Sequence, residues 1–155
     1  MSIEQLYLPP GGGETLSLRG TDLVLKATGE REGGGPTVIE FIAAPGFSTG
    51  DHVHSKIEEI LYVVDGEFNL RSGEWAGRAG PGSFVRVPPR TAHGFGNPGS
   101  APATLLLIIS PASAREEYFR ELAAILAKPG PLDTAAIADL RQRYDEVQAS
   151  PLTAS

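Results

Sequence analysis

The chain has 155 residues and no cysteine, and 13 Lys+Arg stand against 19 Asp+Glu for a formal net charge of −6. That length suits one domain with a real hydrophobic core, and the missing thiols exclude disulfides, thiolate metal sites and cysteine nucleophiles. An acidic balance without a basic cluster argues against nucleic acid as a partner.

The opening segment has neither a basic flank nor a long apolar run. The longest apolar run, Leu105 to Ile109, is far too short to cross a bilayer. A cytoplasmic protein with no membrane partner is therefore expected. With 19 Gly and 13 Pro, the chain turns often, which predicts many short strands.

Residues 1–16 read as irregular, with Pro9-Pro10-Gly11-Gly12-Gly13 inside them. Leu16–Leu18 and Leu23–Ala27 read as strands around a Gly20-Thr21-Asp22 turn, and Gly29–Pro36 reads as a glycine-rich loop. Thr37–Ala44, rich in β-branched and aromatic residues, predicts a further strand, with Ile39, Phe41 and Ala43 on one face. Asp65-Gly66 carries the strongest short hairpin signal, a type I′ turn between two strands. Ser72-Gly73, Gly80-Pro81-Gly82, Pro88-Pro89-Arg90 and Asn97-Pro98-Gly99 punctuate strands at Trp75–Ala79, Ser83–Val87, Ala92–Phe95 and Ala103–Ile109. Short strands with regular turns predict a mainly β sandwich or barrel.

After Pro111 the pattern changes. Ser113 and Glu116 have capping-box spacing ahead of a helix with Phe119, Leu122, Ile125 and Leu126 on one face, ending at Lys128-Pro129-Gly130. A second helix is predicted from Asp133, with Leu132 and Ile137 stapling its start and Ile137, Leu140, Tyr144 and Val147 as its apolar face. Both helices should cover an open barrel edge or a subunit interface, because short amphipathic helices do not stand alone. Their mixed charges do not suit a DNA reader. Residues 149–155 are expected to fray. The expected organisation is a single domain over 1–155, with a core barrel at about 16–110 and a helical segment at about 113–148.

The chain has 3 histidines: His52, His54 and His93. In His52-Val53-His54 the two imidazoles are at i and i+2, so on a strand they share a face. Both can then reach one metal at bond lengths of roughly 2.0–2.2 Å. Glu58 and Glu59 follow, and a carboxylate supplies a hard anionic ligand beside neutral imidazoles. Such a set suits Fe(II), Mn, Co, Ni or Zn.

These residues resemble the cupin superfamily. Its first motif is Gly, five residues, His-x-His, three or four residues, Glu, six residues, Gly. The chain reads Gly46-FSTGD-His52-V-His54-SKIE-Glu59-ILYVVD-Gly66. The second motif, Gly, five residues, Pro-x-Gly, two residues, His, three residues, Asn, is matched by Gly82-SFVRV-Pro88-P-Arg90-TA-His93-GFG-Asn97, with Arg90 at the usual Gly. Arg90 is expected to need a different turn geometry. The likeness extends to small single-domain bacterial cupins similar to quercetin dioxygenase.

The resemblance implies a double-stranded β-helix (jelly-roll) barrel holding one divalent transition metal on His52, His54, Glu59 and His93. Family spacing to Gly66 selects Glu59 over Glu58. It implies a dioxygenase-type oxidoreductase acting on a small enolisable or aromatic substrate, with Glu59 as both ligand and proton acceptor. Phe41, Leu61, Phe84, Arg86 and Phe95 are candidate pocket residues, and a homodimer is expected. Two other readings stand beside it: a metal-dependent isomerase, lyase or cyclase without oxygen, and a non-catalytic small-molecule-binding cupin. A metal-free sugar epimerase, which uses a free His as base, is disfavoured because every His is already assigned.

Overall fold

The computed structural model describes residues 6–29 and 35–154. The Gly29–Pro36 loop and the irregular start therefore fall partly outside the described residues. Strand alternation organises the rest. In β3 (Thr37–Ala43) Thr37, Ile39, Phe41 and Ala43 are buried, and in β10 (Ala103–Ser110) Ala103, Leu105, Leu107 and Ile109 are. These two strands pair antiparallel, Leu105 opposite Phe41 and Leu107 opposite Ile39, so their inward residues form the centre of the core.

The other elements are β1 (Glu14–Leu18), β2 (Thr21–Ala27), β4 (His52–His54), β5 (Glu58–Asp65), β6 (Phe68–Ser72), β7 (Trp75–Ala79), β8 (Phe84–Val87), β9 (His93–Gly96), α1 (Arg115–Leu126), α2 (Thr134–Arg143) and β11 (Glu146–Gln148). One sheet has the order β1-β2-β3-β10-β5-β8 and the other β11-β4-β9-β6-β7. From β3 onward nearly every connection crosses between the sheets, which gives a mainly β jelly-roll with two helices. No helix among the described residues is long and apolar enough to cross a membrane.

That crossing corrects the hairpin expected at Asp65-Gly66. β5 pairs with β10 and β8, and β6 pairs with β7 and β9, so the turn carries the chain from sheet to sheet. Gly66 has φ 75°, and a Cβ there would stand 2.7 Å from the Cβ of Ala103. The glycine thus serves a tight crossing against β10. Two-residue hairpins lie instead between β1 and β2, where Leu18 faces Thr21 across Arg19 (φ 51°) and Gly20 (φ 91°), and between β6 and β7, where Ser72 faces Trp75 and Gly73 has φ 61°.

Arg90 does not change the turn geometry. It adopts φ 65°, the left-handed conformation that glycine takes without strain, and its N–H donates to the carbonyl of His54 at 2.7 Å.

The C-terminal segment differs most from expectation. Ser113 (φ 48°) and Ala114 (φ 56°) are left-handed, and the start of α1 has no side-chain cap. The Glu116 carboxylate instead accepts a hydrogen bond from the Thr37 hydroxyl at 2.9 Å, buried against β3. Tertiary burial has taken over the group the local motif would have used. α1 closes one end of the barrel, with the Phe119 ring 5.8 Å from that of Phe41. Asp133 caps α2 as expected, accepting from the Ala136 N–H at 3.0 Å.

Val147 is not on α2. It lies on β11, whose register puts Glu146 opposite His54 and Val147 opposite Val53, so Glu146 turns inward and Val147 outward. The barrel edge at β4 is thus covered by a strand rather than a helix. The tail does not fray: Leu152 is buried in the core, Thr153 pairs with Ser48, and the Ser150 hydroxyl accepts from the Asp51 N–H at 2.7 Å.

Two stability measurements check these corrections. Leu152→Ala should cost about 2 kcal/mol in urea unfolding, since it empties a core position; a frayed tail would cost nothing. Arg90→Gly should gain about 0.5–1 kcal/mol, as relief of left-handed strain outweighs the added freedom of the unfolded chain. An unchanged or lower midpoint would mean that Arg90 is unstrained.

Candidate metal centre

Both sheets contribute to one buried cluster. His52 and His54 come from alternate positions of β4, and His93 stands opposite His52 on the neighbouring β9. Glu59 comes from the other sheet, held between Ile109 of β10 and Val87 of β8. All four side chains are buried, and one potential ligand atom from each lies within 4.8 Å of the others. Glu58, one residue earlier, points outward and pairs with Arg86 at 2.6 Å.

Each imidazole is oriented through Nδ1. That atom lies 3.0 Å from the Gly50 carbonyl in His52, 3.1 Å from the Asp145 carbonyl in His54 and 2.8 Å from the Thr91 carbonyl in His93. A carbonyl can only accept, so Nδ1 carries the proton and Nε2 presents a lone pair. Gly50 can deliver its carbonyl because it lacks a side chain: with φ 68°, a Cβ would stand 2.3 Å from the Ser150 carbonyl oxygen.

The inner faces then create a conflict. His54 Nε2 lies 3.3 Å from one Glu59 oxygen and His93 Nε2 lies 3.1 Å from the other. Neither Nε2 has a hydrogen-bond partner. Neutral imidazoles would set lone pairs against the carboxylate, and a cation between them, a proton or a metal ion, resolves this. The donor set of three imidazoles and one carboxylate therefore fits a divalent transition metal.

The electrostatics agree. Burial depresses the His52 pKa to about 4, against the opposing pull of Glu146, so this ring is neutral at physiological pH. Burial would raise the Glu59 pKa, but the imidazoles of His54 and His93 beside it outweigh this and hold the carboxyl well below its usual range. At His93 burial lowers the pKa, yet the Glu59 carboxylate 3.1 Å away prevails and raises it. Without a metal, His93 thus tends to keep a proton that metal binding would release.

Beside these residues lies a cavity of about 30 Å³. Its wall includes Phe41, Phe47, Phe95 and Phe119, together with His52 and Glu59. Of the expected pocket residues, Phe41 and Phe95 line it. Leu61 is buried in the core but is not part of this wall. Phe84 and Arg86 do not reach it: their strand turns Val87 inward and leaves both of them exposed on the outer face.

The sequence comparison matches the cupin domain model to residues 39–109, which span all four candidate ligands. The barrel has the cupin fold. Solved cupin structures agree in fold. An RmlC-like cupin from Shewanella frigidimarina shares 19% identity, over 75% of this chain and 99% of that one, with a TM-score of 0.62. A predicted oxalate decarboxylase from Thermotoga maritima shares 20% over 70% and 97%, TM-score 0.56. The polyketide cyclase RemF from Streptomyces resistomycificus shares 21% over 70% and 80%, TM-score 0.60. At these identities the likeness is one of fold. No curated protein shows a significant match.

Sequence reasoning missed four residues beside the cluster: Arg115, Tyr118, Arg141 and Glu146, all buried and all lining the cavity. Glu146 Oε1 is 3.9 Å from His52 Nδ1 and 3.1 Å from Arg141 Nε, and Oε2 is 3.1 Å from Arg115 Nη2. Burial would raise the Glu146 pKa, but His52, Arg115 and Arg141 together bring it down to about 2. A signal for the arginines did exist. Arg115 is three, four and seven residues before Tyr118, Phe119 and Leu122, and Arg141 is four after Ile137, so each charge sits on the apolar face of its helix. Glu146 has no such signal.

Full-length protein dialysed against zinc should retain about one equivalent by elemental analysis, and His54→Ala should retain almost none. Equal metal content in both would remove the cluster as the binding site.

Proposed function

We propose that this protein is a metal-dependent oxidoreductase of dioxygenase type, acting on a small enolisable substrate bound beside His52, His54, Glu59 and His93. The observation that carries metal dependence is the pair of partnerless Nε2 atoms facing an ionised carboxylate. A bound divalent ion would supply Lewis acidity and an open position for a substrate oxygen.

The chain's own groups support the rest. Phe41, Phe47, Phe95 and Phe119 give the cavity one apolar wall, against which dioxygen, an apolar gas, can rest. Glu59 is held ionised, so one of its oxygens can accept the proton of an enolisable carbon. His52, His54 and His93 are each fixed through Nδ1, which leaves no free imidazole for that role. A cavity this small suits a short substrate better than an aromatic ring. In a dioxygenase both oxygen atoms end in the products, so no external reductant is required.

The test is oxygen uptake by iron-loaded protein offered small 1,3-dicarbonyls and 2-oxo acids. We expect uptake equal to substrate loss, abolished in His54→Ala. Turnover without uptake would replace this reading with an isomerase, lyase or cyclase. Binding without turnover would make the protein a non-catalytic binding cupin.

A further inference from the structure

The two buried arginines supply more N–H donors than the protein itself uses. Arg141 is 2% exposed: its Nε lies 3.1 Å from a Glu146 oxygen as an ion pair and its Nη2 donates to the Thr49 carbonyl at 2.8 Å, but neither Nε nor Nη1 makes a hydrogen bond. Arg115 is 3% exposed: its Nη1 donates to the Tyr144 carbonyl at 3.2 Å and its Nη2 pairs with Glu146, but its Nε has no partner. The Arg115 guanidinium also lies 3.9 Å over the Tyr118 ring, and Tyr118 interacts with Arg141. Each guanidinium is therefore anchored by one backbone carbonyl and the shared Glu146, while at least one of its nitrogens makes no hydrogen bond. Both residues line the same cavity as His52 and Glu59.

Burying a donor without a partner costs about 1–3 kcal/mol, and more when the donor is charged. A cluster that served only to fasten the C-terminal segment would gain nothing from spare donors. The charges point the same way. Glu146 is the carboxylate that both arginines share; with Glu59 in the same cavity the four charges balance, and a divalent ion on the candidate ligands would leave an excess of positive charge. In a buried cavity such an excess calls for an anion.

We propose that the cavity takes a short carboxylate-bearing substrate, whose carboxylate is held by Arg141 Nη1 and Arg115 Nε. This names the charge of the substrate in the function proposed above, and rests on that reading only for the anion's fate once it is bound. Two N–H groups on planar guanidiniums suit the two oxygens of a carboxylate. The cavity of about 30 Å³ limits the molecule to a few heavy atoms, and its other end would face the metal centre. The arginines belong to α1 and α2, outside the residues matched by the family model, so this subsite is a feature of the C-terminal segment.

Arg115 also lines a second pocket of about 320 Å³, with Lys56, Arg143 and Asp145 around it.

The test is calorimetric titration of the metal-free, full-length protein with pyruvate, and with pyruvamide as the neutral isostere. Pyruvate should bind at least about tenfold more tightly, because charge-assisted hydrogen bonds are lost with the amide. Arg141→Lys, which keeps the charge but removes the guanidinium fork, should weaken pyruvate by about tenfold. Glu146→Gln, which removes the competing carboxylate, should not weaken it. Equal binding of acid and amide by the wild type, or no binding of either to metal-free or zinc-loaded protein, would overturn the proposal whether or not the variants fold. Zinc retention measured on the same samples separates the two readings. Pyruvate selectivity without metal would sink the metal function alone, and stoichiometric zinc without pyruvate selectivity would sink the anion subsite alone.

Discussion

The Glu59 carboxylate sits in the interior of the barrel with three imidazoles turned toward it, and the architecture around it serves to hold that arrangement. An ionised group buried this deeply is costly unless its charge is answered. The histidines answer it from the opposite sheet, each locked through Nδ1 to a backbone carbonyl. The cluster is therefore a polar tie across an otherwise apolar sandwich. Its inner nitrogens stay without partners unless a cation joins them.

The barrel alone does not complete this centre. The carbonyl that orients His54 belongs to Asp145, a residue with φ 56°, beyond α2. The Asp145 carboxylate accepts from the Ser55 and Lys56 N–H groups, which fastens the turn after β4 to the turn before β11. Glu146 follows, placed inward by its register opposite His54. The C-terminal segment thus supplies an orienting acceptor, a buried carboxylate and both buried arginines, and through Phe119 it also supplies part of the cavity wall. A metal-side environment built by the C-terminal segment is added to a barrel whose fold is shared with many other proteins. That division is a physical form of the rule that folds host functions rather than determine them.

Much of the molecule could be read directly from residue order. Alternation of apolar residues placed β3 and β10, because a pleated strand turns every second side chain the same way. The His-x-His spacing put two imidazoles on one face of β4, which rests on local geometry, so local sequence suffices. The same holds for Asp133, whose cap depends only on the amide three residues ahead. The choice of Glu59 over Glu58 came from the resemblance to the cupin motif.

What sequence order alone could not fix depends on contacts between distant segments. Asp65-Gly66 has the composition of a hairpin turn, but whether its strands pair with each other is decided by which sheet each one joins. Ser113 and Glu116 have the spacing of a capping box, yet burial of Glu116 against Thr37 of β3 overrides it. The tail has no pattern of its own and is ordered because Leu152 and Thr153 find partners near Ser48. The sequence by itself determined the barrel strands and the shared face of His52 and His54, since both follow from periodicity along the chain, and its resemblance to the cupin motifs added Glu59 and His93. Only the tertiary structure decided that Arg115, Arg141 and Glu146 meet beside those ligands, because such a charge cluster is held together by burial and register across long sequence separations.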